Sequence, residues 1–362
     1  MNISVLMYRV AICSSMFFST ISLAVVAENG LPTQFTGYTK NSTLRMDFSS
    51  VDELLYAGVL DMGYSKRKRA KLFKPKLGTR MRQYVNAQTG NEANRFFYEN
   101  LTKEQEEISL LKQYLENIPT ATPLNLYSKK EQLAYWLNLY NVTLINEITK
   151  IYPRSTLKSF FTEDSSLMDE KILTVSGISL SLNDIQYNIL FKKYDKNPLI
   201  MYGLYQGVIG GPNIRKKAYT GANVFASLED NTYEFINSNR GTQFNGKENT
   251  VRVSTYYERN AMFFPDFHHD LKKHLLKFSK KSISSEITQA KAFVPNIHNW
   301  RITDLYGTIR RYEGAVASNP VEDRKKMSFT QVKKLRELMV VRAINFGGGT
   351  ITVTDLDPIV QE

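Results

Sequence analysis

Cysteine is nearly absent from this sequence. Of 362 residues one is cysteine, Cys13, and four are histidine. Cys13 lies inside an apolar run, residues 10–26, that follows the single positive charge Arg9 and ends in Val25, Val26 and Ala27. A charged start, a short apolar middle and small residues at the exit mark a secretory leader. Ser14, Ser15, Ser19, Thr20 and Ser22 interrupt the run, whereas a membrane span needs about 20 strongly apolar residues. The sequence thus predicts removal of residues 1–27 near Ala27 and export to the periplasm or beyond. Cys13 sits within the run and not just after it, so no lipid-anchor cysteine is expected. The mature chain would then have no disulfide, no thiolate nucleophile and no thiolate metal ligand. No second long apolar run follows, so no transmembrane span is expected after cleavage. The remaining 335 residues (362 less 27) suffice for one or two ordinary cores.

Other absences narrow the chemistry. No Gly-x-Ser-x-Gly elbow is present, and no Gly-Lys-Ser/Thr phosphate loop or dinucleotide glycine spacing. The histidines are His268, His269, His274 and His298. His269 has Lys273 four residues on, where a metal site would want a ligand and an ammonium repels the cation. No metal and no cofactor is expected.

Acid is scarce in one place. The chain carries +12, or +11 once Arg9 is removed. Much of the excess lies in residues 66–82, where Lys66, Arg67, Lys68, Arg69, Lys71, Lys74, Lys76, Arg80 and Arg82 meet no acidic residue. Such a run is either a solvated loop or a surface for phosphates and carboxylates. In an exported protein the anionic partner would be lipid head groups or envelope polysaccharide. Nucleic acid is not expected.

Helical signals begin at Leu101, after an irregular start that holds one short helical pattern at 51–59. Residues 104–117 place Ile108, Leu111 and Leu115 at helical spacing. The strongest element is predicted over 129–151. Ser128 and Glu131 have capping-box spacing, and Leu133, Trp136, Leu137, Tyr140, Leu144, Ile148 and Ile151 form a stripe. Ala134, Val142 and Ile145 add apolar surface elsewhere, so the helix should be buried; Pro153 stops it. Asn138 and Asn141 then lie in or beside the core. They either tie loops to the helix or line a site. Glu147, at the stripe's edge, either reaches solvent or serves as a general acid or base.

Residues 172–175, a Ser176-Gly177 turn and 178–180 predict a hairpin. Ser181 with Asp184 predicts a helix through Leu190. Residues 199–204 read as a buried strand, followed by Tyr205-Gln206-Gly207-Val208-Ile209-Gly210-Gly211-Pro212-Asn213. Its glycines permit close backbone approach, as a site loop or as a tight packed turn. Thr220 should cap a helix over 221–236. A strand over 251–257, a helix over 266–278, a helix capped by Ser328 and Gln331 to Ala343, and a strand over 350–354 complete the reading.

The sequence Ala134-Tyr135-Trp136-Leu137-Asn138-Leu139-Tyr140-Asn141 resembles the signature helix of the domain-of-unknown-function 547 family, usually Ala-Phe-Trp-Ile-Asn-x-Tyr-Asn. Leu180-Ser181-Leu182-Asn183-Asp184-Ile185, the loop with Gly207 and Pro212, Ala218-Tyr219, Val253-Ser254, Asp266-Phe267 and Asn299-Trp300 resemble later family segments in order. The resemblance spans about 95–305. It also marks departures. Gln206 and Gly211 stand where the family's loop has cysteines, Met201 where it has histidine, and Gln186-Tyr187 where it has glutamate and histidine. Thiol chemistry, the natural expectation for members with cysteine and histidine, is closed to this chain.

The residues and the resemblance together predict an α/β protein of the α+β type, with helices packed around a small, mostly antiparallel sheet. The expected divisions are a leader (1–27), a basic N-terminal extension (28–94), the main domain (95–305) and a C-terminal helix and tail (306–362). Three functions fit. The first is a non-catalytic binding or scaffold protein with a groove from Trp136, Asn138, Tyr140, Asn141, Gln206, Gly207, Gly210, Gly211, Pro212 and Asn213. The second is an envelope hydrolase or transferase using Glu147, Tyr187 and Gln206. The third is an adaptor that binds anionic lipid or polysaccharide through Lys66, Arg67, Lys68, Arg69, Arg80 and Arg82.

Overall fold

The computed structural model describes residues 31–67, 89, 92–102, 105–162 and 166–304. The expected elements at 328–343 and 350–354 lie outside them. In chain order the helices are α1 (Ser49–Gly58), α2 (Tyr98–Leu101), α3 (Gln105–Ala121), α4 (Lys129–Ile151), α5 (Ser159–Thr162), α6 (Phe191–Lys193), α7 (Val224–Ile236), α8 (Thr255–Arg259), α9 (Phe267–Phe278) and α10 (Lys281–Gln289). The strands are β1 (Val59–Leu60), β2 (Arg95–Phe96), β3 (Leu173–Val175), β4 (Ile178–Leu180), β5 (Thr242–Asn245), β6 (Thr250–Ser254) and β7 (Ala292–Ile297). The fold is α+β: helices dominate, and the sheets among the described residues are small. The largest has the order β5-β6-β7, antiparallel then parallel.

Helix α4 is the central post. Every side chain from Glu131 to Thr149 is buried. Ser128 Oγ accepts the Glu131 amide at 3.2 Å, but the reciprocal half of the predicted box does not form. The Glu131 carboxylate turns away and accepts the backbone amides of Met46 and Gly221, both at 3.0 Å. It therefore anchors two distant segments on the first turn of α4. Trp136 is fully buried, with Phe35 edge-on at 5.0 Å between ring centroids. A wholly buried large apolar side chain contributes about 1.5–3 kcal/mol, and α4 carries ten, from Leu133 to Ile148.

Four amide side chains on α4 are hooked to other segments, as buried amides must be. Gln132 Nε2 donates to Leu124 O (2.7 Å) and Tyr127 O (3.1 Å). Asn138 Nδ2 donates to Tyr219 O (2.8 Å) while its Oδ1 accepts the Tyr219 amide (3.0 Å). Asn141 Nδ2 donates to Gly203 O (3.0 Å) while its Oδ1 accepts the Tyr205 amide (2.9 Å). Asn146 Oδ1 accepts Gln105 Nε2 (2.8 Å) from α3. The N-terminal segment joins the same core through Phe35, Phe48, Val51 and Val59. Lys193 fixes it further, donating to Phe35 O, Gly37 O and Gln132 Oε1.

The predicted hairpin is present as β3 and β4, with Leu173 opposite Leu180. Ser176 and Gly177 have φ of 50° and 77°, the pair of positive values that a two-residue hairpin turn of this kind requires. Ser181 and Asp184 form a true capping box: the Asp184 amide donates to Ser181 Oγ (3.0 Å) and the Ser181 amide to Asp184 Oδ2 (2.7 Å). The helix they open is π-helical over Asp184–Leu190 and continues through α6, past the predicted end.

Three assignments are corrected. Residues 199–204 are not a strand but a 3-10 helix, Pro198–Gly203, begun by Asn197 Oδ1 accepting the Leu199 amide at 3.1 Å. A short apolar run without alternation fits either element. Here it must fit a crevice so tight that a Cβ on Gly203 would stand 2.6 Å from Leu228 Cδ2. The strand over 251–257 ends at Ser254, whose Oγ accepts the Tyr256 amide (3.1 Å) and starts α8. The helix over 221–236 begins only at Val224. Thr220 and Asn223 first close a reciprocal turn, Thr220 N to Asn223 Oδ1 at 2.9 Å and Asn223 N to Thr220 Oγ1 at 3.3 Å. Strands β5 and β7 and helix α10 had no counterpart in the sequence reading.

A buried relay closes the core around α9. His274 Nε2 and Tyr202 Oη lie 2.8 Å apart, with the rings stacked, and Tyr202 reaches Tyr257 at 3.3 Å. Burial, helped by Lys277, pushes the His274 imidazole down to about 4.

Asn141→Ala strands Gly203 O and the Tyr205 amide, which should lower stability by about 2–4 kcal/mol; urea denaturation reads it as a lower midpoint. The unfolded His274 takes up a proton near 6.5 and the folded one only near 4, so acid favours the unfolded chain. Its contribution is full above pH 6.5 and is lost towards pH 4, a difference of roughly 3 kcal/mol. His274→Gln should therefore show a smaller fall in urea midpoint between pH 7 and pH 4 than the parent protein.

Candidate functional site

The loop at 205–213 leaves the 3-10 helix directly below Asn141. Gly207 has φ +67°, and a Cβ there would stand 2.4 Å from Ile148 Cδ1 and 2.8 Å from Leu157 Cδ1. Its carbonyl accepts the Thr303 amide at 2.9 Å. The Ile209 amide donates to Arg301 O (2.8 Å), Gly210 to Asn299 O (2.9 Å) and Gly211 to Val208 O (3.1 Å). Gly211 O accepts the fully buried Arg240 guanidinium, and Asn213 Oδ1 accepts the Asn94 amide at 2.9 Å. Pro212 is buried between them. The glycines serve close packing, and these backbone amides are donated within the protein.

Gln206 is the loop side chain turned towards Tyr140 and Arg259. It is buried, with Nε2 donating to Tyr140 Oη at 3.3 Å and Oε1 accepting Arg259 Nη1 at 3.3 Å. A Cβ on Gly211 would lie 2.7 Å from Gln206 Cβ. The two positions where the resembled family has cysteines thus face each other.

Arg259, at the end of α8, supplies the cation. Its Cζ lies 5.1 Å from the Phe161 ring, 5.1 Å from Tyr256 and 5.0 Å from Trp300. Phe161 and Trp300 stack on each other at 5.8 Å and 25°. Arg259 Nε is buried and has no hydrogen-bond partner. Burial lowers the Arg259 pKa, opposed by Tyr256, Tyr187 and Tyr140. Burial raises Tyr187, opposed by Arg259, and raises Tyr140 well above the ordinary phenol range. Phe161, Tyr187, Arg259 and Trp300 are all partly exposed, so the cluster opens to solvent.

The residues singled out in the sequence divide accordingly. Gln206, Tyr140 and Tyr187 come together around Arg259. Trp136 lies in the core, and Asn138 and Asn141 tie backbone. Glu147 is not in the cluster: it sits seven residues beyond Tyr140, about 10 Å along the helix. Its carboxylate accepts Lys150 Nζ (2.6 Å) and Asn146 Nδ2 (3.2 Å). Met201 is buried and gives its carbonyl to Tyr256 Oη at 2.6 Å. Gln186 Nε2 donates to Asn260 Oδ1 at 3.2 Å.

Of the basic run, Lys66 is exposed. Arg67 is not a free surface cation. It donates to Ser238 O (3.2 Å), Thr242 Oγ1 (3.1 Å) and Thr242 O (2.8 Å) and lies over the Phe244 ring at 5.0 Å. Lys68, Arg69, Arg80 and Arg82 lie outside the described residues. Among the described residues no group of three or more histidine, cysteine or acidic side chains could hold a metal ion, and no helix is long and apolar enough to cross a membrane.

Sequence reading missed Arg259 and Phe161. The site draws Tyr140, Phe161, Tyr187, Gln206, Arg259 and Trp300 from six separated segments, and no motif joins them. Beside the candidates Tyr140, Tyr187 and Gln206, Trp300 carried a signal through its place in the family resemblance.

Gly207→Ala should destabilise the protein by about 1–3 kcal/mol, from the positive φ and the approach to Ile148. Adding Ile148→Val removes the Cδ1 nearest the new methyl group and should recover part of the loss in thermal denaturation.

Residues 124–236 match the family model described as "Protein of unknown function, DUF547". The matched segment runs from the 3-10 helix Leu124–Leu126 through α4 and the glycine loop to the last residue of α7, and stops before Arg259 and Trp300. No curated protein and no solved structure shows significant similarity to the chain. The signature helix and the paired loop positions agree with this match, which covers residues 124–236 of the chain.

Proposed function

We propose that this chain is an exported, non-catalytic ligand-binding protein whose binding site is the cluster of Gln206, Tyr187 and Arg259. One observation carries the reading: the side chains that meet at the family's loop position have no ready general base at neutral pH. An amide does not ionise. The phenols of Tyr140 and Tyr187 hold their protons, since burial raises both. A general base must come within about 2.6–3.2 Å of the proton it takes; among the described residues no carboxylate or imidazole is a hydrogen-bond partner of Gln206, Tyr140 or Arg259, and the Asp169 carboxylate that acts on Tyr187 accepts Ser166 Oγ and Asn183 Nδ2. The amides of Ile209, Gly210 and Gly211 are donated internally, so they form no cradle for a developing oxyanion. What remains is one cation, an amide and aromatic rings open to solvent, a combination suited to recognition.

The charged start, apolar run and small-residue exit of residues 9–27 support export, which places envelope polymers among the available ligands. Protein recovered from the periplasm should begin within a few residues of Glu28 by intact mass; full-length chain held in the membrane fraction would contradict export. With p-nitrophenyl acetate, peptidoglycan fragments and acetylated oligosaccharides, product release should not exceed that of Tyr187→Phe and Gln206→Ala. Turnover abolished by both substitutions, with the thermal midpoint unchanged, would overturn the non-catalytic reading.

A further inference from the structure

We infer that Arg259 is the anchor for the carboxylate of a ring-bearing ligand whose flat face lies against Phe161 and Trp300. The inference rests on the binding reading of the same site. A guanidinium offers five N–H donors in a planar fork. The one side-chain acceptor that Arg259 meets is Gln206 Oε1, at a long 3.3 Å, and its buried Nε meets none. Three rings about 5 Å from Cζ crowd the guanidinium without giving it an acceptor. Buried donors in a finished core are paired. A donor set left this empty, in a cluster that reaches solvent, is short of an acceptor that comes from outside.

The class of acceptor follows from charge and shape. A carboxylate matches the fork with two parallel hydrogen bonds. Among the described residues the groups acting electrostatically on Arg259 are the tyrosines Tyr256, Tyr187 and Tyr140, none of them a cation. One fixed positive charge balances a monoanion, whereas a phosphate monoester brings about −1.5 to −2 and calls for more. Phe161 and Trp300, stacked on each other and partly exposed, offer an apolar platform beside the fork. Rings pack on such platforms offset, with centroids about 4.5–7 Å apart. A uronic acid and an aryl carboxylate both present a carboxylate on a ring, and the experiment separates them.

Titration calorimetry and tryptophan fluorescence on the full chain would use sodium glucuronate, sodium benzoate, glucose and inorganic phosphate. At least one of the two carboxylates should bind and change the tryptophan emission, with glucose and phosphate at least about tenfold weaker. The binding carboxylate names the source. Arg259→Gln should weaken binding at least about tenfold, and Arg259→Lys, which keeps charge without the fork, should restore only part. Trp300→Phe should keep calorimetric binding and lose the fluorescence change. The inference is overturned if neither carboxylate binds the folded parent protein at millimolar concentration, if phosphate binds as well as the carboxylates, or if Arg259→Gln binds unchanged. The parent protein's own selectivity decides the matter even if a variant fails to fold. Absent binding without turnover sinks the anchor and leaves the non-catalytic reading standing. Cleavage of p-nitrophenyl glucuronide with Arg259-dependent binding does the reverse.

Discussion

Two side-chain amides on one buried helix hold the chain where it crosses α4. Asn138 and Asn141 each use both ends of the amide on a single backbone crossing, Asn138 at Tyr219 and Asn141 at Gly203 and Tyr205. Each imitates a rung of β-sheet pairing where no sheet is present. In a low-dielectric interior such bonds are strong, and their loss leaves two buried groups unpaired. The consequences spread outward. Fixing Gly203 and Tyr205 sets the exit of the 3-10 helix and presses Gly207 against Ile148. That in turn directs Gln206 at Tyr140 and Arg259. Fixing Tyr219 sets the approach to α7, which Glu131 reinforces through Gly221. A helix that carried only apolar side chains would bury as much surface but would not define where these segments cross.

Legibility in the sequence followed the range of the interactions. The β3–β4 hairpin and the Ser181–Asp184 box were legible because turn and cap chemistry is local. Helix α4 was legible from its stripe, yet the same local rule misplaced Glu131, whose carboxylate found two distant amides instead of the helix end. Residues 199–204 were misread because six apolar residues in a row carry no period, and the neighbours that decide, Leu137 and Leu228, are far along the chain. Arg67 looked like one more solvated cation in a basic run; only its contacts with Ser238, Thr242 and Phe244 reveal a structural role. The site was least legible, since Phe161, Gln206, Arg259 and Trp300 meet only through the fold. The asparagines were legible as a choice between tying loops and lining a site, and the fold decides for the first.

At the loop positions where the resembled family carries cysteines, this chain has Gln206 and Gly211. Gln206 and Gly211 still face each other, and the signature helix still supplies Tyr140. In place of a thiol and its base stand an amide, two phenols that hold their protons and a guanidinium among aromatic rings. These groups recognise well and transfer protons poorly at neutral pH. Phe161 lies inside the matched segment 124–236 and Arg259 and Trp300 beyond it, so the cation and one of the two platform rings come from the part of the chain that follows.

The dependence of this arrangement on the two asparagines is open to direct measurement by native-state hydrogen exchange at the Tyr205 and Tyr219 amides. If the clamps are as tight as the geometry indicates, both amides exchange only through global unfolding, with opening free energies equal to the protein's overall stability. Exchange through local opening, at rates like those of the exposed Ser176-Gly177 turn, would show that the loop and its site move independently of α4, and the account would be wrong at its base.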